Sequence, residues 1–357
     1  MLEQQQAVDF LRELVTVPST SGSEQLAVRL LVERMRALGL DAHVDGAGNA
    51  VGMRGGPTDG IGKRSEILLL GHIDTVPGEI DVQIENGKLY GRGTVDAKGP
   101  LAAFLYAAAR AELHPGTRLV VIGAVEEESA TSKGARQVAR DFSPNYCIIG
   151  EPSGWDSVTL GYKGRLLIDC VARRPMSHTA GPQPGVSELI INWWNCLSEY
   201  CSIQNDERQR LFDRLLPSIR YLHTESDGLF DTAYLKAGLR LPLDFDLRSF
   251  EEAACQWEPG TELSYYGYEP AYKEGRRSPL AAMFQQVLRE TGMRPRQKLK
   301  TGTSDMNVVG PIWRCPIVAY GPGDSSLDHT PQEHIDLEEF WRAVLILEQV
   351  LSRLSGL

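Results

Sequence analysis

The chain has 357 residues, 42% of them hydrophobic and 24% charged, which is the profile of a soluble globular protein with one large domain or two ordinary ones. Its formal net charge of −10, without a long basic run, argues against a general nucleic-acid-binding protein. No apolar run reaches the roughly 20 residues of a membrane helix and the first residues lack a signal-peptide pattern, so we expect a cytoplasmic location.

The chain is predicted to begin with two helices and a buried strand. Residues 4–15 place their apolar side chains on one helical stripe, which predicts the first helix. Ser21 and Glu24 have the spacing of a capping box, which predicts a second helix over about 24–38. The continuous apolar run at 66–70 is typical of a strand that is buried on both faces.

Further buried strands alternate with helices on either side of a middle region. The strands are predicted at 118–124, 146–149 and 316–320, and the helices at about 99–113, 132–140 and 279–291. This alternation indicates an α/β fold with a mostly parallel sheet. The six cysteines form no CxxC pair and several lie in apolar strand-like runs, so we expect them to be reduced.

The middle region, 166–275, has a different pattern. It is predicted to contain a strand, a helix, a polar segment, a strand, a helix and a strand, at 166–173, 187–200, 201–232, 233–240, 250–257 and 261–272. This order suits a small antiparallel α+β insert. The predicted organisation is therefore one discontinuous domain, 1–165 with 276–357, interrupted by a second domain at 166–275.

Polar motifs follow several of the predicted buried strands. GHIDTVPG, at 71–78, puts His72 and Asp74 two residues apart in an extended segment, where they face the same way and can act together on a metal ion. GRGTVDAKGP, at 91–100, contains one carboxylate, Asp96, and precedes a helix. Each motif alone is also compatible with an ordinary strand end or a turn with a helix cap.

Acidic residues follow two more strands, and a histidine follows the last. In AVEEES, at 124–129, one of Glu126 and Glu127 is expected to coordinate metal while the other faces the substrate as a base, unless this is a solvated acidic loop. Glu151 follows the strand at 146–149, and His329 lies in the loop after the strand at 316–320. Because open α/β sheets place their sites at the carboxyl ends of their strands, these side chains predict two zinc ions that share a bridging carboxylate.

The motifs HxDTVP, GxxDxKG, an EE pair, GEPS and a late H-x-P-x-E resemble the di-zinc deacylase family that includes acetylornithine deacetylase, succinyl-diaminopimelate desuccinylase and related carboxypeptidases. Sequence blocks between residues 44 and 331, among them GRGTVDAKGPLAAF, TLGYKGRL and KTGTSDMNVVGP, are similar to one branch of that family. That branch releases lysine or ornithine from the terminal glutamate side chain of an amino-group carrier protein, LysW, in lysine and arginine biosynthesis. The resemblance also implies a ferredoxin-like insert that serves as a lid and a homodimer contact.

The resemblance implies a role for each candidate residue. His72, Asp96 and Glu151 would hold one zinc ion, and Asp96, Glu127 and His329 would hold the other, with cobalt as an alternative metal. Asp74 would orient His72, and Glu126 would be the general base. His178 would stabilise the oxyanion in the partner subunit's site. The remaining implied features are a cis peptide between Asp96 and Ala97 and a substrate-carboxylate site at Arg240, Gly302 and Thr303.

Two other functions remain open at this point. A small-molecule deacylase or dipeptidase of the same family would have the same ligand motifs. An inactive binding protein on this scaffold would be expected to lack a ligand or the base, whereas each expected position is filled here.

Four local basic clusters are candidates for contacts with an acidic carrier, namely Lys163/Arg165, Arg173/Arg174, Arg276/Arg277 and Lys298/Lys300.

Overall fold

The computed structural model describes residues 2–56, 65–178 and 181–357. The helices are α1 (Leu2–Thr16), α2 (Gln25–Ala37), α3 (Lys98–Arg110), α4 (Lys133–Asp141), α5 (Val186–Gln204), α6 (Leu247–Ala254), α7 (Pro279–Glu290), α8 (Asp305–Trp313) and α9 (Leu337–Ser355). The strands are β1 (Asp41–Val44), β2 (Ala50–Gly55), β3 (Ser65–His72), β4 (Gln83–Glu85), β5 (Lys88–Tyr90), β6 (Thr117–Ala124), β7 (Tyr146–Gly150), β8 (Ser157–Tyr162), β9 (Gly164–Pro175), β10 (Leu216–Ser226), β11 (Phe230–Leu241), β12 (Glu262–Glu269), β13 (Tyr272–Lys273), β14 (Arg296–Lys300), β15 (Ile317–Ala319) and β16 (His334–Asp336).

The described part of the chain divides into two compact units. The first unit comprises Met1–Gly161, Lys273–Leu299 and Ser304–Leu357, and the second comprises Tyr162–Tyr272 and Lys300–Thr303. The boundaries predicted from the sequence lay at 165 and 275, and the return of 300–303 to the second unit was not predicted. The roles expected for the two domains, catalysis and closure or dimerisation, stay predictions.

The first unit is built on a mixed sheet whose central strands are parallel, as predicted. Its order is β1-β2-β6-β3-β7-β15-β8-β13, with β14 beside β8. Strands β6, β3, β7 and β15 run parallel, while β2 and β8 flank them in the antiparallel direction. The apolar run of β3 is fully buried, and α3 packs against this strand and against α9. This arrangement brings the carboxyl ends of the parallel strands to one edge of the sheet.

The predicted helix α2 is present, but the predicted capping box is wrong. Glu24 is the residue before the helix, and its side chain makes no capping hydrogen bond to it. The Ser21 hydroxyl instead donates to the Asp74 carboxylate at 2.7 Å. The Glu24 carboxylate accepts hydrogen bonds from the backbone N–H of Gly22 and of Glu126. Both side chains that the local spacing assigned to a helix cap therefore bond distant residues, and Glu24 also bonds its neighbour Gly22.

The second unit contains an antiparallel sheet with α5 and α6. The sheet order is β10-β11-β9-β12, and the elements follow one another along the chain as β-α-β-β-α-β, an arrangement typical of a ferredoxin-like fold. The segment after α5, predicted to be merely polar, contains the edge strand β10. Its side chains from Ser218 to Ser226 are exposed, so no alternation of buried and exposed residues marks the strand in the sequence.

Two predictions about the whole chain concern its cysteines and its helices. All six cysteines lie within the described residues and are free, as predicted. Burial raises the pKa of the Cys170 and Cys201 thiols to about 12, which keeps them protonated at neutral pH. Among the described helices, none is both long enough and apolar enough to cross a bilayer.

Candidate metal centre

The parallel strands bring most of the predicted ligands to one sheet edge. His72 is the last residue of β3 and lies in register with Ala124 at the end of β6. The acidic loop 126–128 therefore begins two residues beyond that point. Glu151 directly follows β7, whose Gly150 is in register with Gly71. The order of the strands thus accounts for the meeting of segments that lie far apart in the sequence.

One group of ligand atoms forms around His72. The Nε2 atom of His72 lies 3.1 Å from Oδ1 of Asp96 and 4.0 Å from Oε1 of Glu151. Ligand-capable atoms of these three residues all lie within 4.8 Å of one another. The His72 side chain is only 2% exposed. This group has the composition of a three-residue metal site.

A second group forms around His329 and shares Asp96 with the first. The Nε2 atom of His329 lies 3.1 Å from Oδ2 of Asp96 and 2.8 Å from Oε1 of Glu128. Ligand-capable atoms of these three residues also lie within 4.8 Å of one another. Asp96 therefore presents one carboxylate oxygen to each imidazole, the geometry required of a bridging ligand. The peptide bond between Asp96 and Ala97 is cis, as predicted.

The glutamates that face the cluster are Glu127 and Glu128, whereas the predicted pair was Glu126 and Glu127. Glu126 has a left-handed backbone, with φ of 58°, and its carboxylate accepts a 2.6 Å hydrogen bond from Thr131 and lies 3.5 Å from Nζ of Lys133. Among the described residues, Glu127 and Glu128 can share an ion with His72, while Glu126 belongs to no such group. Of the predicted pair, only Glu127 therefore faces the cluster, and Glu128 is a candidate ligand that the sequence analysis missed.

Asp74 fixes the backbone of this acidic loop as well as the first imidazole. Its two carboxylate oxygens accept hydrogen bonds from the N–H of Glu127, at 3.1 Å, and of Glu128, at 3.0 Å. Nδ1 of His72 lies 3.0 Å from the Asp74 carbonyl oxygen and 3.5 Å from Oδ1. The Ser21 hydroxyl also donates a hydrogen bond to Oδ2 of Asp74, a contact that the sequence did not predict. Asp74 is fully buried and is placed to orient ligands rather than to bind an ion.

The pKa values of both histidines and of two glutamates in the cluster lie above their ordinary values. Burial favours neutral His72, but contacts with the carboxylates of Asp74 and Asp96 raise its pKa well above the ordinary value. Contacts with the carboxylates of Asp96 and Glu128 raise the pKa of His329 to about 10. Desolvation and neighbouring carboxylates raise the pKa of Glu127 well above its ordinary value. Desolvation and Asp96 likewise raise the pKa of Glu128.

These residues fit divalent metal ions. The donors are imidazole nitrogens and carboxylate oxygens from His72, His329, Asp96, Glu127, Glu128 and Glu151. Such a mixed set suits Zn²⁺ and other first-row divalent ions. Positive charge at this position would also offset the repulsion among the carboxylates.

The other predicted site residues belong to the second unit. His178 lies in an exposed segment after β9, and the next two residues of its motif, 179–180, lie outside the described residues. Arg240 is half-buried near the end of β11 and donates a 2.7 Å hydrogen bond to Oγ1 of Thr303. Gly302 directly precedes Thr303 in the same unit. The roles predicted for these residues stay predictions.

Most of the chain matches one peptidase family. The model of Peptidase family M20/M25/M40 matches residues 68–353. A LysW-lysine hydrolase of Deinococcus radiodurans is 43% identical over 99% of this chain and 98% of its own. A putative LysW-lysine/LysW-ornithine hydrolase of Thermococcus kodakarensis is 40% identical over 100% of this chain and 94% of its own.

Solved structures with the same fold are more distant in sequence. An M20 family metallo-carboxypeptidase of Sulfolobus solfataricus superposes with a TM-score of 0.80 at 18% identity, covering 98% of this chain and 99% of its own. A tripeptidase of Staphylococcus aureus superposes with a TM-score of 0.79 at 18% identity, covering 99% of both chains. At this level of identity the likeness concerns the fold alone.

Proposed function

Because the chain belongs to Peptidase family M20/M25/M40, we propose that the cluster around Asp96 is a two-ion centre of an amide hydrolase that releases lysine, ornithine or both from LysW, an amino-group carrier protein. The chain is a hydrolase of this kind, and the observation that carries this conclusion is its likeness, over nearly its whole length, to curated LysW-lysine and LysW-ornithine hydrolases. The scissile bond is the amide between the amino acid and the side-chain carboxyl of the carrier's terminal glutamate.

The proposed ligands follow the two groups of the structure. His72, Asp96 and Glu151 would hold one ion, and Asp96, Glu128 and His329 would hold the other. Glu128 takes the place predicted for Glu127, because Glu128 is the residue that contacts His329. We propose zinc as the metal, with cobalt as the alternative, because this donor set accepts either ion.

Glu127 is proposed as the general base. When bound, the two ions supply Lewis acidity, which polarises the amide carbonyl and makes water more acidic. The Glu127 carboxylate accepts the proton of the attacking water and then donates it to the leaving amine nitrogen. Burial and the neighbouring carboxylates raise its pKa, which suits a group that must hold a proton between these two transfers. In this proposal His178 donates a hydrogen bond to the developing oxyanion, while Arg240, Gly302 and Thr303 bind a substrate carboxylate.

Recognition of an acidic carrier is supported by the distribution of basic residues. The stretch 273–300 contains eight Lys and Arg residues but only two Glu and no Asp, although the chain as a whole has a net charge of −10. On β14, Nζ of Lys298 donates a 2.6 Å hydrogen bond to the carbonyl of Ser153, two residues beyond Glu151. Arg296 pairs with Asp156 on the same loop. These cations lie beside a proposed ligand loop, where they would attract the acidic carrier.

Two further properties belong to the proposal. The edge strand β10 is exposed along most of its length and carries Ile219, Tyr221 and Leu222, each close to half exposed. Such an edge can pair with a second copy of itself, which supports the predicted homodimer.

The six free cysteines fit the predicted cytoplasmic location, since reducing compartments keep thiols unpaired.

A comparison of three substrates tests the function. The zinc-loaded protein is incubated with LysW carrying lysine, with LysW carrying ornithine and with N-acetylornithine, and the free amino acid is quantified. Release from either conjugate but not from N-acetylornithine is the expected result. Release from N-acetylornithine alone would make the protein a small-molecule deacetylase and would overturn the carrier proposal. No release from any of them by protein that holds both ions would overturn the hydrolase proposal. The matched control is Glu127→Gln, which should release the free amino acid about 10²- to 10⁴-fold more slowly.

A further inference from the structure

Arg92 connects three loops that surround the proposed ion centre. Its Nε donates a 3.0 Å hydrogen bond to the carbonyl of Gly78, at the end of the motif that contains His72. Its NH1 donates to the carbonyl of Thr330, the residue after His329, at 3.4 Å. The same NH1 donates a 2.8 Å hydrogen bond to Oε2 of Glu333.

Glu333 carries this connection to the shared ligand. Its Oε1 accepts hydrogen bonds from the backbone N–H of Val95, at 3.0 Å, and of Asp96, at 3.2 Å. The Glu333 side chain is 1% exposed, and that of Arg92 is 14% exposed. Both carboxylate oxygens therefore have partners in a buried setting, where charge-assisted hydrogen bonds are strong and directional.

The two proposed ion positions differ in how their histidines are held. His72 is the last residue of a buried strand and contacts Asp74, and its side chain is 2% exposed. The His329 side chain is 49% exposed and belongs to a loop whose neighbouring residue, Thr330, is bound by Arg92. The second position thus depends more on contacts between loops than the first does.

We propose that the Arg92–Glu333 ion pair is a positioning device that holds Asp96 against His329 and so sets the affinity of the second ion position. This inference rests on the proposed two-ion centre. In this arrangement neither Arg92 nor Glu333 contacts an ion or a substrate. Glu333 fixes the backbone of Asp96, Arg92 fixes the backbone next to His329, and the ion pair couples the two. Loss of either partner also leaves a buried charge without its counter-charge, so the local loops rearrange.

Metal titration of the ion-free protein tests the inference. The chelated protein is titrated with Zn²⁺ in a calorimeter, and the bound zinc is measured by elemental analysis after dialysis. The wild type is expected to bind two equivalents. In Glu333→Gln one equivalent should keep its affinity and the other should weaken by about 10- to 100-fold, the usual effect of removing a group that orients a ligand. His329→Ala should weaken binding of the same zinc equivalent. The double variant Glu333→Gln/His329→Ala should bind this equivalent no more weakly than His329→Ala alone.

The controls separate this inference from the proposed function and from misfolding. Glu290→Gln breaks an exposed ion pair with Arg353 between α7 and α9 and should leave both affinities unchanged. If Glu333→Gln does not fold, Arg92→Lys replaces it, because lysine keeps the charge beside Glu333 but not the fork of hydrogen bonds. The positioning role is overturned if Glu333→Gln binds two zinc equivalents with unchanged affinity, or if its two affinities fall by the same factor. A wild type that binds fewer than two equivalents would instead overturn the two-ion centre itself.

Discussion

The Nε2 atom of His329 lies 2.8 Å from the Oε1 atom of Glu128, although 201 residues separate them in the chain. This contact decides how the run of three glutamates is used. The third glutamate reaches the histidine, the second faces the other half of the cluster, and the first points away toward Thr131.

Replacing Glu128 by glutamine should remove one of two bound ions. The amide keeps the size of the side chain but gives up the negative charge that holds a divalent ion beside His329. We expect elemental analysis to find about one zinc equivalent in Glu128→Gln after dialysis, against two in the wild type. Glu126→Gln is the matched control and should retain both. Two tightly held equivalents in Glu128→Gln would show that Glu128 is not a ligand.

Replacing Glu127 by glutamine should stop turnover while both ions stay bound. A glutamine cannot accept the proton of the attacking water, so kcat should fall by about 10²- to 10⁴-fold with little change in KM. Steady-state kinetics on the lysine conjugate of LysW measures this. Glu126→Gln, in which a carboxylate outside the cluster is changed, should keep nearly full activity. The reverse pattern, an inactive Glu126→Gln and an active Glu127→Gln, would restore the assignment made from the sequence.

Ser21→Ala should weaken the support of the acidic loop without removing any ligand. The variant deletes the hydroxyl that donates to Asp74, a carboxylate that also fixes the backbone of Glu127 and Glu128. We expect the free energy of unfolding to fall by about 1 kcal/mol and kcat to fall measurably. Thr16→Ala removes an exposed hydroxyl that donates to the carbonyl of Arg12 within α1 and serves as the control. A loss of stability that is equal in the two variants, with full activity in both, would argue against a role for Ser21 at the site.

The stability of the protein should rise with pH above about 8 through Lys163. This side chain was predicted to belong to a basic cluster that contacts the carrier, but it is fully buried, and burial lowers its pKa from 10.5 to about 8. Between these values the unfolded chain binds more protons than the folded one, so the free energy of unfolding increases with pH. The gain is complete only above pH 10.5 and is lost again as the pH falls through about 8. Chemical denaturation of the wild type and of Lys163→Met at about pH 7 and about pH 10 measures it.

The matched control for this pH effect is Lys236→Met, because the Lys236 side chain in the same unit is half exposed. It should follow the pH profile of the wild type. An identical pH dependence in the wild type and in Lys163→Met would contradict the assignment to Lys163.

The parts of the site that follow buried strands could be predicted from the sequence. The apolar runs of β3 and β7 are long enough to mark strands, and His72 and Glu151 stand at their ends. Parallel pairing then brings such ends together without any knowledge of the loops. The positions of these two proposed ligands were therefore accessible from the hydrophobic pattern together with the polar motifs.

Elements that depend on loop conformation or on distant partners could not be predicted. Loop residues follow no hydrophobic periodicity, so the sequence does not predict the left-handed backbone of Glu126. It therefore does not predict which of the three glutamates face the cluster. The spacing of Ser21 and Glu24 favours a helix cap, but Asp74, 53 residues from Ser21, provides a stronger acceptor for its hydroxyl. The strand β10 escaped prediction because its pairing with β11 buries almost none of its side chains.

All of the proposed ion ligands, together with Asp74 and Ser21, belong to the first compact unit. Loading with metal is thus a property of one part of the chain, whereas His178, Arg240 and Thr303 belong to the other. Substitutions in the second unit replace none of the proposed ligands and neither Asp74 nor Ser21. Selection for a new acyl donor can therefore act on residues of the second unit other than His178, while the proposed ion ligands are inherited intact. A library confined to 162–272 that leaves His178 unchanged would be a practical starting point for changing the specificity of this enzyme.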